Sequence, residues 1–264
     1  MILDLFRLDG KVAIISAAGR GIGAACARAF AELGANVVIG ARTESQLASV
    51  ARDVEKAGAK AIVVPGDLRT REGMQGLVDA AASNFGRLDI VVNNAGGSMP
   101  KPFLETSERF FEESLRWNVT TAFNLTQLAV PHLLESGGGS VINIASSAGR
   151  NPDRGFAAYG TAKAAMIQLT KNLATDLAPK IRVNAIAPGS IETEALGSVL
   201  QDASIREQMI SMTPLRRLGR EDDIAAGAVL LASEAGSFIT GQCLPIDGGI
   251  RRSNLEMGIP DLEA

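Results

Sequence analysis

Apolar runs of three to five residues recur along the chain at 12–15, 37–39, 61–64, 90–92, 141–144 and 183–187. Runs this short, bounded by turn residues, read as strands covered on both faces, as inner strands of a parallel sheet are. Longer stretches with helical spacing lie between them, opening near Gly21, Thr43, Thr70, Thr106, Phe156 and Glu221. Thr43-Glu44-Ser45-Gln46 fits a capping box, and Thr70 is placed to cap a helix with Glu72 in its first turn. With a last strand around Leu244–Asp247, the alternation predicts an α/β fold: one doubly wound parallel sheet of about seven strands, helices on both faces. Its crossovers should be right-handed, and a ligand should sit beyond the C-terminal strand ends.

No repeat, low-complexity tract or Pro/Ser-rich linker divides the 264 residues, so residues 1–264 are read as a single domain. The rhythm lapses between about 190 and 220, where Met209, Ile210, Met212 and Leu215 lie among polar residues. This segment is a candidate lid or, alternatively, an ordinary surface helix. The tail from about 250 to 264 carries Met257, Ile259, Pro260 and Leu262, and either packs on a neighbouring subunit or frays. The 46% hydrophobic and 21% charged composition is that of a globular protein with a sizeable core.

A formal net charge of −3 gives no overall positive field for a phosphate backbone, so nucleic acid is not an expected partner. Asp4 and Arg7 interrupt the opening segment, which lacks the pattern of a signal peptide. The longest uncharged run, Trp117–Leu134, holds too many polar groups to span a membrane. Two distant cysteines, Cys26 and Cys243, suit a reducing compartment, and a cytoplasmic location is the expectation. One histidine and two scattered cysteines do not assemble a metal site.

The first run leads into Ser16-Ala17-Ala18-Gly19-Arg20-Gly21-Ile22-Gly23 and an Ala-rich helix. Strand, glycine turn and helix in that order let backbone amides and the positive helix end approach a pyrophosphate. The spacing departs from G-x-G-x-x-G, so a tight turn of no further consequence stays open here. At the end of the second strand a dinucleotide site carries either an acid for the ribose 2′-hydroxyl or an arginine for a 2′-phosphate. Here the chain reads Gly40-Ala41-Arg42, with no carboxylate before Glu44. Arg42, joined by Arg20, offers donors for a phosphate, so NADP(H) is preferred and NAD(H) is possible.

Tyr159 is the only tyrosine, and Lys163 follows at helical neighbour spacing. An ammonium beside the phenol, helped by an oxidised nicotinamide, would lower its pKa and make Tyr159 an acid–base near neutral pH. Five segments in order then resemble the short-chain dehydrogenase/reductase family across nearly the whole chain. They are the turn at Ser16–Gly23, Asp67, Asn93-Asn94-Ala95-Gly96, Ser146 with Tyr159 and Lys163, and Pro188-Gly189.

The resemblance implies a Rossmann fold with Tyr159 as acid–base and Ser146 on the substrate carbonyl. Lys163 would hold the nicotinamide ribose, and Asn118 would complete a proton relay. Cofactor contacts are implied for Ser16, Ala18, Arg20, Gly21, Ile22, Gly23, Arg42, Asp67, Leu68, Asn93, Ala95, Gly96, Tyr159, Lys163, Pro188, Gly189, Ile191 and Thr193. A homotetramer is implied as well. One departure is Ala17, where the family usually has glycine; the added methyl puts cofactor affinity in question.

Asn93–Phe103 and Ala187–Leu196 are most similar to bacterial hydroxysteroid dehydrogenases, and the 3-oxoacyl-carrier-protein reductases are also similar. The expected reaction interconverts a secondary alcohol and a ketone on a small apolar substrate, since Met99, Phe103, Met209 and Met212 are placed near the pocket. A 3-oxoacyl thioester is the alternative substrate, and a non-catalytic redox sensor is the alternative without chemistry. A hydrolase built on Ser146 needs a histidine later in the chain, and the only one, His132, precedes it.

Overall fold

The computed structural model describes residues 1–255, 258, 259 and 261. Seven strands, β1 (Val12–Ser16), β2 (Asn36–Ala41), β3 (Ala61–Pro65), β4 (Ile90–Asn93), β5 (Gly139–Ile144), β6 (Ile181–Pro188) and β7 (Cys243–Ile246), form one sheet in the order β3-β2-β1-β4-β5-β6-β7. Every adjacent pair is parallel. The order reverses between β1 and β4, where a parallel α/β sheet opens a crevice beyond its strand ends.

Successive side chains of a strand point to opposite faces, which explains why the runs are apolar throughout. Ala13 and Ile15 of β1 and Val37 and Ile39 of β2 join one core layer with Phe30, Leu47 and Ile224. Val12, Ile14 and Val38 join the other, with Met74, Leu77, Leu125 and Leu133. The first layer is covered by α1 (Gly21–Glu32), α2 (Glu44–Lys56) and, later in the chain, Glu221–Ala232. The second is covered by α3 (Arg71–Phe85) and by the helices Thr121–Glu135 and Ala157–Leu177.

Helix entries follow local chemistry with two differences. Thr70 caps α3, its hydroxyl accepting from the Gly73 amide at 3.1 Å. Thr43 is the N-cap of α2 but makes no side-chain capping bond, so the capping box does not form. Its intended partner Gln46 turns instead toward Gly19. The helix expected from Thr106 is α4 (Glu108–Leu115), capped by Ser107. A single π-helical turn, Arg116–Thr120, joins α4 to α5 (Thr121–Glu135); such turns are frequent at functional sites. It carries Asn118.

After α6 (Ala157–Leu177) and β6, the stretch from 190 to 220 folds into two short helices, α7 (Glu194–Leu200) and α8 (Ala203–Met212). A lone bridge between Ile191 and Gly219 closes its base, and α9 (Glu221–Ala232) follows. Among the described residues no helix is long and apolar enough to cross a membrane. Of the apolar residues singled out in the tail, Met257, Pro260 and Leu262 lie outside the described residues.

Candidate active site

A cleft of about 910 Å³ opens at the C-terminal ends of the strands. Its floor at one end is the turn between β1 and α1. The Ser16 hydroxyl is buried there, donating to the Val92 carbonyl at 3.2 Å and accepting from the Asn94 and Ala95 amides at 2.9 and 3.0 Å. It staples β1 to the end of β4. Ala17 adopts φ +52°, in the left-handed region, and its carbonyl accepts from the Asn94 side chain at 3.1 Å. The methyl thus occupies the conformation for which glycine is suited. Gly23 permits close packing, since a Cβ there would lie 2.6 Å from Asn94 Nδ2 and 2.7 Å from the Ala17 carbonyl.

The start of α1 differs chemically from the starts of α2, α3 and α9. No side chain caps it and no acid lies in its first turn, whereas α2, α3 and α9 each carry an acid there. Its amides and positive dipole end are therefore available to an anion, the chemistry a dinucleotide pyrophosphate requires. Arg42 lies exposed at the cleft mouth and makes no ion pair among the described residues. Arg20 also lines the cleft, where its exposed guanidinium pairs with Glu194 at 2.8 Å.

Helix α6 brings Tyr159 and Lys163 to the middle of the cleft, facing Ser146 at the end of β5. Lys163 is 3% exposed, and its Nζ donates to the Ile144 carbonyl at 2.7 Å and sits 5.7 Å from the Tyr159 ring centroid. Burial pushes its ammonium down to about 8. Burial likewise pushes the Tyr159 phenol up, with a hydrogen bond to Ser146 pulling it partly back. The shift is opposite to the one the sequence suggests, because desolvation of the phenolate outweighs everything else acting on the ring. Behind Lys163, Asn118 is fully buried; its Oδ1 accepts from the Gly97 amide at 2.8 Å, and its Nδ2 donates to the Ser114 carbonyl at 2.9 Å. A Cβ on Gly96 would lie 2.7 Å from Asn118 Oδ1 and 3.0 Å from Lys163 Nζ.

Most residues singled out from sequence line this one cleft: Arg20, Gly21, Ile22, Arg42, Asp67, Leu68, Gly96, Ser146, Tyr159, Lys163, Pro188, Gly189, Ile191 and Thr193. Ser16, Ala18, Gly23, Asn93, Ala95 and Asn118 instead stand behind the wall. Asn93 is the sharpest departure. Its side chain is 2% exposed and donates to Thr126 and Asn143 at 3.0 and 2.8 Å, within the core, while Asn94 reaches the cleft. His132 is apart from the site on α5, half-buried beside Glu135 at 3.2 Å. No cluster of metal-binding side chains occurs among the described residues.

Two groups of lining residues were not singled out. Trp117 stands under the Arg69 guanidinium, 5.2 Å from the ring centroid, on the Asp67 side of the cleft. The segment Ile250–Leu255 also lines it, except at Arg251. Asn254 is 3% exposed there, accepting from Ser190 at 2.7 Å and donating to the Met209 carbonyl and Thr213 hydroxyl at 3.2 and 3.0 Å. The start of the tail is therefore part of this chain's own cleft. Nothing in its local sequence signals this, since its partners lie more than 40 positions away.

Residues 16–251 match the family model described as enoyl-(acyl carrier protein) reductase. An uncharacterised oxidoreductase of Mycobacterium tuberculosis is 55% identical over 99% of this chain and 100% of its own length. The 7α-hydroxysteroid dehydrogenase of Escherichia coli K12 is 41% identical, covering 93% of this chain and 96% of its own. The 3-oxoacyl-[acyl-carrier-protein] reductase of Thermotoga maritima is 35% identical over 92% and 99%. A solved 7α-hydroxysteroid dehydrogenase, in complex with NADH and 7-oxo glycochenodeoxycholic acid, superposes with a TM-score of 0.90 at 41% identity, covering 94% of this chain and 96% of that one. By sequence and by fold, the chain belongs to the short-chain dehydrogenase/reductase family, enzymes that use NAD(P)(H) to oxidise or reduce at CH–OH groups.

Proposed function

We propose that this enzyme prefers NADP(H) and interconverts a secondary alcohol and a ketone on an apolar substrate, with a hydroxysteroid as the leading candidate. The observation that carries the reading is the convergence of Ser146, Tyr159 and Lys163 on one cleft beside an uncapped helix start. A bound nicotinamide would supply or accept the hydride. The chain's own residues do the rest.

The Ser146 and Tyr159 hydroxyls donate to the substrate oxygen, where negative charge grows as a carbonyl is reduced. Tyr159, kept protonated at neutral pH by burial, passes its proton to that oxygen in reduction and takes it back in oxidation. Lys163 holds the nicotinamide ribose, and Asn118 fixes the backbone at Gly97 behind it. Arg42 supports the NADP(H) preference as an unpaired guanidinium at the end of β2, with Asp67 and Leu68 beside the adenine. Ser16, Ala18, Gly23, Asn93 and Ala95 act by shaping the turn and wall.

The same reading carries a homotetramer, a cytoplasmic location and a lid over 190–220 that closes with Met209 toward the substrate. A 3-oxoacyl thioester remains the second substrate class, favoured by the likeness to the Thermotoga reductase. The test is a panel of oxo-steroids, 3-oxoacyl thioesters and small ketones, each followed with NADPH and with NADH. A clear NADH preference refutes the cofactor assignment, and turnover confined to thioesters refutes the steroid one. A stable monomer in light scattering refutes the tetramer.

A further inference from the structure

The substrate end of the cleft is walled mainly by apolar side chains, with Met99, Pro100, Phe156, Met209 and Ile250 among them. Along this wall the segment after β7 places one basic residue, the exposed Arg252. Its backbone is well anchored. Ser253 donates to the Asp153 carboxylate, three residues before Phe156, and Asn254 is tied to Ser190, Met209 and Thr213. Arg252 is thereby held on the side of the cleft that carries Phe156 and Tyr159, whose rings lie 5.9 Å apart.

Three other arginines on this side of the molecule are paired. Arg150 pairs with Asp247 at 3.4 Å, Arg154 with Asp261 at 2.6 Å, and Arg206 with Glu192 at 2.6 Å. The Asp153 carboxylate accepts from Ser253 and from the Arg154 amide. Arg252 makes no hydrogen bond or ion pair among the described residues. A cation without a partner, beside an apolar wall and on an anchored segment, is equipped to take the charged end of a molecule whose body is apolar.

We infer that Arg252 selects substrates with an apolar body ending in a carboxylate, so that the carbonyl reaches Tyr159 while the carboxylate meets the guanidinium. The inference rests on reading the cleft as an oxidoreductase site, and its test does not require turnover.

The enzyme loaded with NADPH would be titrated with an oxo-cholanic acid and with its methyl ester, binding being read from the change in NADPH fluorescence. A hydrogen bond to a charged group corresponds to an affinity about tenfold greater for the acid than for the ester. Arg252→Gln should bring the acid down to the affinity of the ester, and Arg252→Lys should keep part of the preference. Equal affinity of acid and ester in the parent enzyme overturns the inference. So does a preference that survives Arg252→Gln, an equal loss for both compounds, or binding of neither at millimolar concentration. If the acid binds preferentially but no oxo compound is ever reduced, the selection by Arg252 stands and the oxidoreductase substrate reading fails.

Discussion

Gly96→Ala adds one methyl group where the site has little room for it. The Cβ would stand 2.7 Å from Asn118 Oδ1, against the 3.4 Å at which ordinary contact begins, so the amide must retreat by about 0.7 Å. Lys163 Nζ, at 3.0 Å, gives way more easily as the end of a flexible chain. Asn118 cannot retreat freely. Its Oδ1 holds the Gly97 amide at 2.8 Å and its Nδ2 holds the Gly97 and Ser114 carbonyls, all in a fully buried place. Moving the amide stretches at least one buried hydrogen bond to its limit, at a cost of about 1–3 kcal/mol.

The same shift displaces Lys163 relative to Tyr159, and misplacement approaching an ångström costs on the order of 10²-fold in rate. Unfolding by denaturant, followed by circular dichroism, measures the first effect, and NADPH oxidation with a ketone substrate measures the second. Gly197→Ala on α7, where a Cβ meets nothing within 4 Å, serves as the control and should keep kcat while gaining up to about 1 kcal/mol of stability, as a helical glycine replaced by alanine does. A Gly96→Ala enzyme with the parent's unfolding midpoint and kcat would refute the crowding of Asn118 and Lys163 about this glycine.

Tyr159→Phe should retain cofactor binding by fluorescence and lose turnover; a variant keeping most of its rate removes the acid–base role. Cofactor affinity should weaken as pH rises through about 8, where the buried Lys163 gives up its proton, and a Kd that stays constant from about pH 7 to about pH 9.5 would count against the charged lysine holding the ribose. Burial alone would raise the Asp89 carboxyl, but Arg87, the Val12 amide and Lys11 outweigh it and hold it low. Its stabilising effect is therefore present above the unfolded value near about 3.9 and is lost as pH falls through the folded one. Asp89→Asn should cost about 1–3 kcal/mol at neutral pH, since Arg87 and Lys11 are partly solvated, and the gap to the parent should close in acid; a constant gap across pH refutes the ionic part. Ala17→Gly releases a left-handed alanine against glycine's larger unfolded-state entropy, so a gain of no more than about 1 kcal/mol is expected; marked destabilisation would refute the strain at φ +52°.

Strand positions were legible because a parallel inner strand is apolar on both faces, and each of the six apolar runs lies within a strand. Helix starts were legible from their capping residues, at Thr70 and at Thr43, although at Thr43 the capping box itself does not form. Tyr159 and Lys163 could be named from their helical spacing, whereas Ser146 was named through the family resemblance. The resemblance implies a cofactor contact for Asn93, but its side chain turns into the core while that of Asn94, just past the end of β4, bonds the β1–α1 turn, a difference that depends on neighbours distant in the chain.

The sequence by itself determined the α/β alternation, the glycine turn and the chemistry of the Tyr159 helix, all properties of contiguous residues. Only the tertiary structure decided the direction of the Tyr159 shift, the pairing of Arg20 with Glu194 and the presence of Arg252 in the cleft. Each depends on groups far apart in the chain, and burial and charge pairing are sums over neighbours in space, which local spacing does not encode.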